Sequence, residues 1–184
     1  MNWLKEYKWL IIAVVLAFTV RLVLIHFNLR HTFLENTGIE YLAKSLADGK
    51  GYRYDAETVT RASEYTLFWA YPPGTSTLLA FIYILFGFSP AGFTYVRVLQ
   101  AFIDSFGCIL IYLICKELFN NKVGIIAAFT YAIFLPIAFM STWVAHDALM
   151  PFLTLVALYC FILGIKRGRW WCYASFGLAV GISC

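Results

Sequence analysis

Charge is what this sequence has least of. Acidic and basic residues together make up 13% of it, about half the share carried by a soluble domain. A chain so poor in polar surface cannot cover a globule in water, which excludes an ordinary soluble domain. Paired cysteines are missing too. Cys108, Cys115, Cys160, Cys172 and Cys184 lie in or beside apolar segments with no close pair of zinc type. They read as small apolar residues. There is no long basic stretch either. Seven of the fourteen cations behind the net charge of +4 fall in three short clusters beside apolar runs, as topology determinants do, and a nucleic-acid partner is excluded. No lipidation motif, internal repeat or low-complexity tract is present. Lys5 and Lys8 precede an apolar run that continues to Phe27 without a small-residue cleavage site, so the start is a retained span rather than a leader.

What is abundant is apolar sequence, 62% of the chain, with aromatics at 19%. A span needs about 20 mainly apolar residues. Trp9–Phe27 qualifies, interrupted by Arg21, and so does Tyr95–Cys115, interrupted by Arg97, Gln100 and Asp104. Val123–Ala145 and Ala148–Ile165 carry no charge, and Trp170–Cys184 begins a further span. The expected fold is all-α: a polytopic transmembrane helix bundle forming a single module over residues 1–184, with a long loop over 28–94. Within that loop, Ile39, Leu42, Ala43 and Leu46 recur at helical spacing, and Asp48-Gly49 with Gly51 marks a stop. This predicts a short amphipathic helix on the membrane surface. Leu78–Phe88, between Tyr71-Pro72-Pro73-Gly74 and Gly87-Phe88-Ser89-Pro90, is too short to cross and suits a membrane-dipping helix.

The three basic clusters are Lys5 with Lys8, Lys116 with Lys122, and Lys166 with Arg167 and Arg169. The positive-inside tendency puts all three in the cytoplasm only if Leu78–Phe88 does not cross. The N-terminus is then cytoplasmic, the loop over 28–94 is external, and His146-Asp147 lies on the same external side.

Ionisable residues within spans are costly and each needs a reason. Arg21 either snorkels to the outer headgroups or faces the bundle and binds a phosphate. Arg97, Gln100 and Asp104 share one helical face, as a structural polar seam or as the lining of a polar pocket open to the outside. Asp147 is a solvated turn residue or a functional acid. Most loop carboxylates read as solvated surface, while Glu35 and Glu40 flank the start of the amphipathic helix, where a carboxylate could be held at the membrane.

The order of these pieces resembles that of the membrane glycosyltransferases of the C superfamily, in particular the protein mannosyltransferases and the lipid A aminoarabinose transferase. The matching segments are Gly38-Ile-Glu-Tyr41-Leu-Ala-Lys-Ser-Leu46-Ala-Asp-Gly49-Lys-Gly51-Tyr52, then Tyr71-Pro-Pro-Gly-Thr-Ser-Thr-Leu-Leu-Ala-Phe-Ile-Tyr-Ile-Leu-Phe-Gly87. Arg97-Val-Leu-Gln100, Lys116-Glu-Leu-Phe119, Tyr131 to Pro136 and Asp147 follow in the family order. The resemblance implies sugar transfer from a polyprenyl-phosphate donor on the external face of the membrane, the cell's inner membrane, among membrane lipids. It implies a loop carboxylate as general base, with an arginine or a divalent metal to stabilise the departing phosphate. The family's loop acid falls at Thr37 or Gly38 here, so Glu35 is expected to replace it. Asp147 is the second catalytic acid, and Arg21, Tyr41 and Arg97 are the substrate-binding candidates. The metal-binding glutamate of some relatives has Ala70 and Tyr71 in its place. Because the family's members are longer, the chain is expected to be an N-terminal portion, inactive alone and partnered by the remainder of the transferase. The rival reading is a non-catalytic membrane protein, a remnant or an accessory subunit. A small transporter fits less well, since transport would distribute charge over several spans and has no use for the amphipathic loop.

Overall fold

In the computed structural model the described residues are 3–28, 38–53, 73–87, 90–140 and 149–183. They form an all-α membrane helix bundle. Helix α1, Trp3–Asn28, contains an apolar stretch, Tyr7–Phe27, long enough to cross a membrane. Its buried stripe is Leu10, Ala13, Ala17, Arg21 and Ile25, while Ile11, Val15, Val23 and Phe27 face outward. The small side chains of Ala13 and Ala17 let neighbouring helices approach closely, which is how spans pack where lipid competes for apolar contact.

The second candidate span, Thr94–Leu118, is bent. Helix α4, Pro90–Ser105, gives way at Phe106 to α5, Gly107–Leu118. Two causes are visible. Ser105 Oγ donates back to the Ala101 carbonyl at 2.6 Å, a bond that bends helices, and Phe106 N–H reaches the nearer Ile103 carbonyl. The ring of Tyr131 also lies where a side chain on Gly107 would stand, its hydroxyl only 2.6 Å from that Cβ position. Arg21 meets Asp104, and four residues further along the second span Cys108 meets the Ala13 carbonyl. Helix α1 therefore runs antiparallel to α4–α5, and its start, with Lys8, points to the same end as Lys116.

Val123–Ala145, expected as one uninterrupted run, is two helices over its described part. Asn120 caps α6, Asn121–Ile133, by accepting from Val123 N–H at 3.0 Å. Phe134 is extended, and α7 follows over Leu135–Met140. Pro136 explains the break: it offers no N–H, and its ring would strike the carbonyl of Ala132 in a continuous helix. Residues 141–148, including the rest of that run and the start of Ala148–Ile165, lie outside the described residues.

Helix α8, Met150–Arg167, is the third candidate span. Gly168 ends it in the left-handed region at φ 61°, its N–H on the Gly164 carbonyl at 2.9 Å, as expected for a glycine stop. Helix α9, Trp170–Ser183, folds back on α8, with Tyr173 against Gly164. Lys166 pairs with Glu117 at 3.1 Å. That contact brings the α5–α6 turn, with Lys116 and Lys122, to the same end as the α8–α9 turn, with Arg167 and Arg169.

At the opposite end sit two shorter helices. Helix α2, Gly38–Ala47, buries Ile39, Leu42 and Ala43. Instead of lying on lipid alone, its apolar face packs on Leu79, Ala80, Ile82 and Tyr83 of the next helix along the chain and on Val96 of α4. Ser45 Oγ closes the following turn on the Gly51 carbonyl at 2.8 Å, and Gly49 and Gly51 take positive φ of 74° and 85°. Helix α3, Pro73–Phe86, starts at the second proline, where a missing N–H costs nothing. Its 14 residues reach about 21 Å, short of a hydrocarbon core of about 30 Å. Phe81, Ile84, Leu85 and Phe86 are exposed along its outer side, which suits dipping into lipid. Helices α3 and α4 form an antiparallel hairpin, with Tyr83 against Gly92 and Phe86 against Tyr95 at 5.0 Å. Two helical turns back from the Tyr83–Gly92 contact, Ser76 falls opposite the stretch of α4 around Leu99.

Candidate functional site

In an apolar bundle the polar side chains that are buried identify where chemistry can occur, because each is costly without a partner. Arg97, Gln100 and Asp104 lie one or two turns apart on α4, and all are buried. The structure divides this face in two.

Its deeper part is a closed network. Arg21 Nε donates to Asp104 Oδ2 at 2.7 Å, Tyr131 Oη donates to Asp104 Oδ1 at 2.7 Å, and Arg21 Nη1 donates to the Ala17 carbonyl at 3.0 Å. The Arg21 guanidinium also lies 5.6 Å from the centre of the Tyr131 ring. Arg21 and Asp104 are both 0% exposed. Arg21 therefore does not snorkel, and its charge is matched inside the bundle, joining α1, α4 and α6 at one depth.

The outer part of the face is open chemically. Arg97 is 6% exposed, and its Nε has no hydrogen-bond partner. No carboxylate among the described residues is paired with it. One turn deeper, Gln100 is fully buried, and neither its amide nitrogen nor its amide oxygen has a partner. Across the hairpin, Ser76 is buried in the first turns of α3, where backbone N–H groups are unsatisfied by the helix itself. Its hydroxyl acts on Tyr52: burial raises the Tyr52 phenol above its ordinary pKa, and Ser76 offsets part of that rise. The Ser76 hydroxyl is fully buried, and Tyr52 is the side chain it acts on. Nearby, burial first and then the charge of Glu40 push the Tyr83 phenol upward.

Of the candidates read from sequence, Arg97 sits at this open site and Arg21 in the closed network. Tyr41 is half-buried on α2. Glu35 and Asp147 lie outside the described residues. No group of three metal-ligating side chains converges among the described residues, and Ala70 and Tyr71 also fall outside them. Two participants were not legible as such. Nothing in the spacing of Tyr131 announces that it would reach Asp104, 27 residues away. Ser76 had a faint signal, a serine three residues after the proline that opens a helix.

A family model described as dolichyl-phosphate-mannose-protein mannosyltransferase matches residues 70–184. The match takes in the whole α3–α4 hairpin with Ser76, Arg97 and Gln100. No curated protein and no solved structure matches the chain.

Proposed function

Because the chain belongs to the dolichyl-phosphate-mannose-protein mannosyltransferase family of membrane glycosyltransferases, we propose that it transfers a sugar from a polyprenyl-phosphate donor to an acceptor at the external face of the membrane. In this reading the three basic clusters are cytoplasmic and the α2–α3 end is external. An acceptor hydroxyl attacks the anomeric carbon, and Glu35 takes its proton as general base. The bond from that carbon to the phosphate oxygen breaks, and the lipid phosphate leaves with the electron pair as an anion. Arg97 stabilises the charge that develops on it. Asp147 acts as the second catalytic acid and Tyr41 binds substrate on the same external side.

The observation that carries this reading is the contrast between two arginines. Arg21 is neutralised by Asp104, whereas Arg97, at the outer end of the second span, is buried with no carboxylate paired to it among the described residues. A buried cation without a counter-charge is expensive, and an anionic ligand offsets that expense. The test is transfer from polyprenyl phosphate mannose by the enzyme in membranes from cells expressing its native gene. Arg97→Ala is expected to lower transfer by about 100-fold, with Arg97→Lys retaining part of it. Unchanged transfer by Arg97→Ala would defeat the assignment.

A further inference from the structure

Gln100 is the residue that a phosphate site alone does not explain. A polar side chain fully buried in a membrane helix needs partners, or an apolar residue would serve the fold better. Here both ends of the amide lack one. The amide nitrogen is a donor and the amide oxygen an acceptor. An ionised phosphate diester offers acceptors only, so it can satisfy Arg97 and the nitrogen of Gln100 but never the oxygen. Hydroxyl groups offer both. Ser76, across the hairpin and fully buried, has the same double capacity, since a hydroxyl that acts on Tyr52 still has a lone pair or proton to offer.

Helix geometry places Gln100 where such a ligand could reach it. Gly92 and Val96 turn toward α3, and Asp104 turns toward α1 and α6. At about 100° per residue, Gln100 falls between those two directions, on the side of α4 between its α3-facing and its α1-facing positions. Arg97 lies one turn nearer the outer end on the same side. This side is thus graded from a cationic position to neutral positions that donate and accept.

We propose that Gln100, with Ser76 across the hairpin, binds hydroxyl groups of the sugar carried by the lipid phosphate. This rests on the reading of Arg97 as the phosphate's partner and assigns the sugar-selecting part of that site. Selection follows from the chemistry. A site built to pair a hydroxyl rejects a ligand lacking it, because its buried polar groups are then left unpaired.

The experiment is direct binding to the purified membrane protein of four tritiated probes: bare polyprenyl phosphate and its mannosyl, glucosyl and 4-amino-4-deoxyarabinosyl esters. The parent protein is expected to bind at least one sugar ester more tightly than the bare phosphate. Gln100→Leu should weaken that ester by about 10-fold, the scale of a lost buried hydrogen bond. It should leave the bare phosphate within about twofold. Ser76→Ala should act in the same direction, and Arg97→Ala should weaken every probe alike. Gln100→Leu removes unpaired buried atoms and keeps the side-chain volume close, so its thermal midpoint should not fall. Equal weakening of bare phosphate and sugar ester by Gln100→Leu would overturn the proposal, as would no change in either or a parent protein with no sugar preference. If Arg97→Ala changed nothing while Gln100→Leu behaved as stated, the phosphate reading would fail and the sugar subsite would stand.

Discussion

Arg21 on α1 and Asp104 on α4 form an ion pair that is entirely enclosed by the bundle, with Nε and Oδ2 2.7 Å apart. Every polar atom of the Asp104 carboxylate is engaged, one oxygen by Arg21 and the other by Tyr131. This is the arrangement that makes burial of charge tolerable, and it fixes the depth at which three helices meet.

Removing one partner should therefore be far worse than removing both. Arg21→Ala, leaving Asp104 buried and unmatched, is expected to cost about 3–5 kcal/mol. The double change Arg21→Met with Asp104→Leu should recover most of that loss. Reversible unfolding in mixed micelles measures both, and equal losses in the single and double variants would refute the account.

Tyr131 and Gly107 should behave as a coupled pair. Tyr131→Phe leaves Asp104 Oδ1 without its donor and should cost about 1–3 kcal/mol. Gly107→Ala puts a methyl where the Tyr131 hydroxyl and ring now stand, 2.6 to 2.7 Å away, and should cost about 1–3 kcal/mol through overpacking. Because both act on the position of one ring, the combined variant should lose less than the sum. Strict additivity in the same unfolding measurement would argue against a shared cause.

The two basic turns should be accessible from one side of the membrane and the α2–α3 end from the other. Lys166 and Glu117 hold the turns together, while Gly49 follows α2 at the far end. Single cysteines introduced at Asn120 and Gly168 in a background lacking the native cysteines should label together with an impermeant maleimide. A cysteine at Gly49 should label from the opposite side. Labelling of all three from one side would contradict the arrangement.

Alkaline pH should loosen the α2–α3 end. Tyr52 and Tyr83 have phenols raised above the ordinary value of 10.0, with burial the main cause in both. The folded state thus holds these protons more tightly than the unfolded one. The associated stability is fully present below pH 10.0 and is lost as pH rises from there through the folded values. Hydrogen exchange in α2 and α3 should accelerate across that range, and Tyr52→Phe with Tyr83→Phe should flatten the dependence.

Much of this architecture is written locally. Low charge and long apolar runs determine that the chain lives in a membrane, since no polar surface exists to do otherwise. Gly49, Gly51 and Gly168 mark stops because the left-handed backbone there favours a residue without a side chain. Pro136 breaks the third apolar run for an equally local reason, although hydropathy alone reads straight through it. The amphipathic pattern of Ile39, Leu42 and Ala43 announces a buried face but not what buries it, which turned out to be α3.

The two arginines mark where sequence stops being enough. Each interrupts an apolar helix on the side away from the basic turns, and read from the sequence they look alike. Their difference depends on a carboxylate 83 residues from Arg21, delivered by the antiparallel packing of α1 on the bent second span. Neutralisation of a charge is a matter of a few ångströms, and only tertiary packing sets distances of that kind between segments so far apart. Composition therefore determined that buried charge would need partners, and the fold decided that Arg21 has one while Arg97 has none among the described residues.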